Sequence, residues 1–282
     1  MSYIIETALE LACVYSFVAL ALFLSFRILD IADLTTDGCF VLGMCVSIVC
    51  TLNNHPLLGI FIGMVSGGLA GLVTALLQTK LGVPSILAGI ITNTALYTIN
   101  LMVMGFSSNI SILRNKTIFN GNKLLLLVLI VVVAMILLRY FLSTRLGLSI
   151  RATGDNIDMV SASSINPKAC ILIGLVMSNM LTGLGGALAG QLQKSADINA
   201  GNGIVTIGLA TLIIGETVIN GKKSITRNII ACLIGNIIYR LIYAFILQTH
   251  IIPIECLKLM TALIITLAIA LPYLKDRKKA LC

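Results

Sequence analysis

Charge is scarce in this chain: charged residues make up 11% of its 282 positions, against about 25% in soluble domains. Histidine occurs only at His55 and His250, both in expected loops. So few polar groups cannot supply a nucleophile with its base or a carboxylate dyad, which argues against an enzyme and calls for no cofactor. The eight cysteines (Cys13, Cys39, Cys45, Cys50, Cys170, Cys232, Cys256 and Cys282) contain no Cys-x-x-Cys pair, and seven sit in or beside apolar runs. They read as small buried hydrophobes, against a disulfide framework or a metal site. A nucleotide loop is missing too. In "GETVINGKKS" (Gly215 to Ser224) five residues rather than four separate the first Gly from Gly-Lys, and a second Lys replaces Ser or Thr. The first residues carry Glu6 and Glu10 rather than a basic segment, so no cleavable signal is expected.

What the chain does have is apolar length. Hydrophobic residues reach 58% and the mean hydropathy is +1.06. One helical crossing of the roughly 30 Å hydrocarbon layer takes about 20 apolar residues. The expected fold is therefore an all-α polytopic membrane protein, with segments at 8–27, 36–52, 56–78, 84–105, 123–142, 168–190, 203–219, 226–247 and 257–274. Nine spans fit best, with eight or ten as alternatives. Residues 1–282 then form one transmembrane domain.

The 19 basic residues exceed the 11 acidic ones, yet they cluster in short loops, which points to membrane orientation rather than to nucleic acid. Lys80, the group Arg145, Arg151 and Lys168, the group Lys222, Lys223 and Arg227, and the tail from Lys275 to Lys279 all fall on one side of nine alternating spans. The positive-inside rule makes that side cytoplasmic, with the N-terminus outside and the C-terminus inside. Arg114 and Lys116 dissent, in an Asn- and Ser-rich loop at 106–122 that suits an external turn.

Several segments are too irregular for rods in lipid. "DLTTDGCFVLG" holds Thr35, Asp37, Gly38 and Gly43, while "LGVPSILAGIITN" holds Pro84, Gly89 and Asn93. Broken or re-entrant helices are tolerated where protein or a water-filled cavity covers the backbone, so these residues are pathway or gate candidates. "ADLTTDGCFVLG" (Ala32 to Gly43) also echoes "ADINAGNGIVTIG" (Ala196 to Gly208), on opposite sides of the expected topology, as an inverted repeat would be. Ionisable groups inside a membrane are costly enough to be functional candidates. Glu216 and Arg240 are two such, with Glu6 and Glu10 within expected reach of Arg240; helix pairing or snorkelling would explain them equally well. Asn93, Asn100, Asn179 and Asn236 fit hydrogen bonds between helices better than substrate binding.

The longest polar stretch is "GLSIRATGDNIDMVSASSINP", residues 147–167, with helix-start chemistry at Asp155 or Asn156. It lies on the expected cytoplasmic side and could present a short helix to another protein. With its surroundings it resembles the cytoplasmic signature of permease subunits of bacterial ABC importers in the branched-chain amino acid and ribose group. "FRILDIADLTTDGCFVLG", "TKLGVPSILAGIITNTALYTINLMVMG", "SIRATGDNIDMVSASSIN" and "GIVTIGLATLIIGE" look like the tryptophan/tyrosine-type permeases of that group.

The resemblance implies a coupling helix that seats in a groove of an ABC ATPase subunit, carried here by Arg151, Gly154, Asp155, Asn156, Met159 and Asn166. Relatives usually have Gly where this chain has Ser164, which puts the local bend in doubt. The resemblance further implies two permease chains as a homodimer, an extracellular substrate-binding protein anchored as a lipoprotein, and a location in the bacterial plasma membrane. The implied fold is similar to that of the cobalamin-type importers, with translocation along the dimer axis. The expected solute is an amino acid, with an aromatic one favoured; a branched-chain amino acid, a sugar or a nucleoside are alternatives. The rival from another class is a secondary transporter driven by an ion gradient.

Overall fold

The computed structural model describes residues 2–113, 115–119, 121–219 and 224–248, together with 262, 263 and 266. They build an all-α polytopic membrane protein. The described helices coincide with the first eight expected segments; the ninth, at 257–274, lies almost wholly outside the described residues, as do Arg114, Lys222, Lys223, His250 and the basic tail.

Helix α1 (Ser2–Leu22) continues through a π-helical turn, Phe23–Ile28. There follow α2 (Thr36–Leu52), α3 (Pro56–Thr79), α4 (Ser85–Val103), strand β1 (Asn109–Ser111) and α5 (Lys123–Ser143). The second half holds α6 (Arg145–Asp155), α7 (Ile157–Ala162), α8 (Pro167–Gln193), β2 (Ser195–Asp197), α9 (Ile204–Ile219) and α10 (Ile225–Gln248). Six helices are long and apolar enough to cross a membrane; α2 and α9 are shorter apolar helices. β1 and β2 pair antiparallel, Ile110 opposite Ala196, and close one end of the bundle. The other end carries α6 and α7.

Helix α8 is the hub, packed against α1, α2 and α3. In lipid, tight contact between helices comes from backbones approaching across small residues. A Cβ on Gly43 of α2 would overlap the Gly183 carbonyl, and one on Gly186 would overlap the carbonyl of Phe40. Ser178 donates to the Ala21 carbonyl at 2.8 Å, tying α8 to α1. Helices α9 and α10 complete the far side against α1.

The expected breaks fall between helices and not within them. Gly38 and Gly43 lie inside a continuous α2, and Pro84 is the N-cap of an unbroken α4. Proline lacks an N–H, and at the N-cap no intrahelical bond needs one. The irregular backbone is instead the segment 29–35. It returns from the end of the π-turn into the interior, so that α2 starts at mid-depth: Asp33 meets Asn179, close to the middle of α8.

Replacing Gly186 by Val should cost about 2–3 kcal/mol by overpacking the α2–α8 crossing. A lowered melting temperature and loss of monodisperse protein in detergent would register it. Gly121→Ala, where the added methyl meets nothing within 4 Å, should behave as wild type.

Candidate functional site

Two segments of irregular backbone, before α2 and before α9, lie in the two halves of the sequence echo. In the first, Asp33 Oδ1 accepts the N–H of Thr35 at 2.9 Å; in the second, Asp197 Oδ1 accepts the N–H of Asn199 at 2.7 Å. These are the same Asx turns, which give the backbone a local partner in place of a helix. Each aspartate also takes an asparagine amide on Oδ2, Asn179 at 2.6 Å in the buried copy and Asn109 at 3.3 Å in the exposed one. Asp37, in the first turn of α2, then reaches across to α9. Its Oδ1 accepts from Val205 N at 2.8 Å and its Oδ2 from Gly203 N at 3.3 Å. A carboxylate from one half thereby caps the helix of the other, where orphan N–H groups and the helix dipole both favour negative charge.

Beside this junction lies a cavity of about 260 Å³, lined by Asp37, Gly38, Asn93, Tyr97, Asn100 and Asn202 among others. Asn93, Tyr97 and Asn100 follow one another at i, i+4 and i+7, one face of α4. The Asn100 amide donates to the Gly38 carbonyl at 3.3 Å. Its Oδ1 is buried without a partner.

The remaining pathway candidates do not join them. Thr35 is buried and bonded to Thr74 at 2.8 Å. Gly43 is a helix-crossing contact, and Gly89 lets α4 approach Leu34. Pro84 starts α4. Glu216 pairs with Arg27 at 3.0 Å, near the α6–α7 end. Arg240 does not reach Glu6 or Glu10: its guanidinium lies 3.8 Å over the Tyr15 ring, which stacks on Phe40. A ring face offers a buried cation an attraction that requires no carboxylate. Asp33 and Tyr97 were not singled out from the sequence. The i, i+4, i+7 spacing of polar side chains in an apolar helix is the signal that could have found the α4 face.

The polar stretch at 147–167 folds as two short helices rather than as a loop with a single helix. Thr144 caps α6, which lays Gly147, Ile150 and Thr153 against the bundle. Asn156 Oδ1 accepts the Met159 N–H at 3.0 Å and starts α7; Asn166 Oδ1 accepts from Lys168 and Ala169 at 3.0 and 3.4 Å and starts α8. Gly154 faces inward, its missing Cβ making room for the Ile28 carbonyl. Asp155, Ile157 and Met159 point outward, the last two more than half exposed. Arg151 and Asp155 line a polar cleft of about 480 Å³ with Arg27 and Arg139. Ser164 has φ +60°, the left-handed conformation for which glycine is the usual residue.

A family model described as "Branched-chain amino acid transport system / permease component" matches residues 4–269. The chain is similar to a tyrosine transport system permease protein of Clostridioides difficile, 33% identical over 94% of this chain and 90% of that one. An uncharacterised protein of Rickettsia prowazekii is 32% identical over 95% of this chain and 97% of its own length. A D-allose transport system permease protein of Escherichia coli is 35% identical over 36% of this chain and 31% of its own. No solved structure matches.

Ser164→Gly relieves a left-handed serine and should stabilise the protein by about 1 kcal/mol. The expected reading is a raised melting temperature with unchanged assembly.

Proposed function

The chain belongs to the branched-chain amino acid transport system permease family, and from that premise we propose that it is the membrane-spanning subunit of an ATP-driven importer carrying an amino acid, an aromatic one by preference, into the bacterial cell. The observation that carries this reading is the match to the tyrosine permease along nearly the whole chain. ATP hydrolysis belongs to a separate ATPase subunit, and solute is delivered by an extracellular binding protein held to the membrane as a lipoprotein.

Orientation follows from the basic residues. The end with α6 and α7 carries Arg27, Arg139, Arg145, Arg151 and Lys168, which supports a cytoplasmic position in the plasma membrane and an external N-terminus. The whole chain acts as one permease domain, with 147–167 as its coupling segment. Asn156 and Asn166 fix the two helix starts and Gly154 seats the segment on Ile28. That leaves Asp155, Ile157 and Met159 free to meet the ATPase: two exposed apolar side chains beside a carboxylate suit a groove on a partner. A push on α7 reaches α8 directly through the turn at Ser164, and α8 holds Asn179 against Asp33.

The lateral faces support a dimer. Helix α5 has no polar side chain between Lys123 and Arg139 and suits lipid. Helix α4, also largely open to the outside, presents Thr94 and Tyr97 at the mid-depth cavity. Polar groups at that depth are covered by protein or line water. A second copy of the chain facing α4 would enclose a pathway along the shared axis.

The test is co-purification. The wild-type chain, expressed with its ATPase, should bring that subunit down in mild detergent. Ile157→Glu combined with Met159→Glu should abolish capture while leaving insertion and melting temperature unchanged, since both side chains face solvent. Normal capture by the double variant would sink the coupling role.

A further inference from the structure

Resting on the reading that the chain conducts an amino acid, we infer that the mid-depth cavity between α2, α4 and residues 198–202 binds the ammonium group of the passing solute.

The cavity is biased toward hydrogen-bond acceptors. Asn100 lines the cavity yet is 2% exposed, and only its nitrogen can donate to the Gly38 carbonyl, so the amide orientation is fixed and Oδ1 is left buried and unpartnered. A buried acceptor without a donor is costly, and a ligand N–H removes that cost. Asp37 adds charge. It takes backbone bonds from Gly203 and Val205, with the Ile204 N–H also directed at it, and a carboxylate offers about four positions. The N-terminus of α9 offsets part of that charge but spends its N–H groups on Asp37, so they form no donor array for an anion. Among the described residues the one ion pair is Arg27 with Glu216, at the α6–α7 end. Among the described residues of the cavity wall no cation neutralises Asp37. Tyr97 supplies an aromatic face at the rim, which suits both a cation and an aromatic side chain.

The volume, about 260 Å³, falls just below the range of drug-sized sites and suits one small solute. The site lies where the two halves of the sequence echo touch, between α2 and the start of α9. A group bound there bridges Asp37 and Asn100.

The full-length permease in lipid nanodiscs provides the test, by isothermal titration and saturation-transfer NMR. The probes are tyramine, L-tyrosine, 3-(4-hydroxyphenyl)propionate and sodium chloride. Tyramine and L-tyrosine should bind and the propionate, which lacks the amine, should not. Asn100→Leu should weaken both amines by about tenfold or more, the loss of one hydrogen bond to a charged group. Asn93→Asp, at a side chain with no hydrogen bond to maintain among the described residues, should strengthen them several-fold without loading the fold. The proposal is overturned if the propionate binds as well as tyramine, if sodium displaces the amines, if Asn93→Asp leaves affinity unchanged, or if neither amine binds to about 10 mM. Failure to capture an ATPase would overturn the importer reading and leave these affinities untouched.

Discussion

Inside a bilayer every backbone polar group needs a partner from the protein, and this requirement governs the central segments 29–35 and 198–203. Neither segment is helical; the first buries Asp33 and Thr35, while the second exposes Asn199 and Asn202. The chain solves the problem with carboxylates. Asp33 closes one Asx turn and Asp197 the other, while Asp37 takes up the first amide groups of α9. The two short helices α2 and α9 can begin in the interior because their starts are paired in this way. Once they do, a polar cavity at the junction follows.

The same segments demand close packing around them. Asp33 needs Asn179, which needs α8 to lie against the returning chain, and α8 comes that near because Gly43 of α2 and Gly186 of α8 carry no side chain at their crossing. The small-residue stripe of α8 and the buried aspartate are two parts of one arrangement. Helix α5, which touches none of this, is free to be plain aliphatic.

Much of the fold was legible in the sequence because apolar length is a physical requirement of the membrane. Eight of the described helices coincide with apolar runs, and of the helix starts expected at Asp155 or Asn156 the chain uses Asn156. The echo between Ala32 to Gly43 and Ala196 to Gly208 located the junction. Three things were not legible. Glycines inside α2 look the same in sequence whether they break a helix or admit a neighbour, and here Gly38 admits α4 and Gly43 admits α8. Arg240 was expected to seek Glu6 or Glu10, but a ring face at Tyr15 serves the guanidinium instead. Asn100 looked like one more helix-pairing amide, and half of it is; only the geometry around Gly38 reveals that its oxygen is left over. Ser164, flagged because relatives favour glycine there, does hold the left-handed bend that the substitution put in question.

The carboxylate of Asp37 is covalently part of α2 and bonded to the start of α9. Pulling the two helices apart would strand the amide groups of Gly203 and Val205 together with a bare charge inside the bundle. A movement of α2 against α9 that keeps these bonds pivots about this point. Asp37 is the fulcrum, and the lever arms are the outer ends of the two helices.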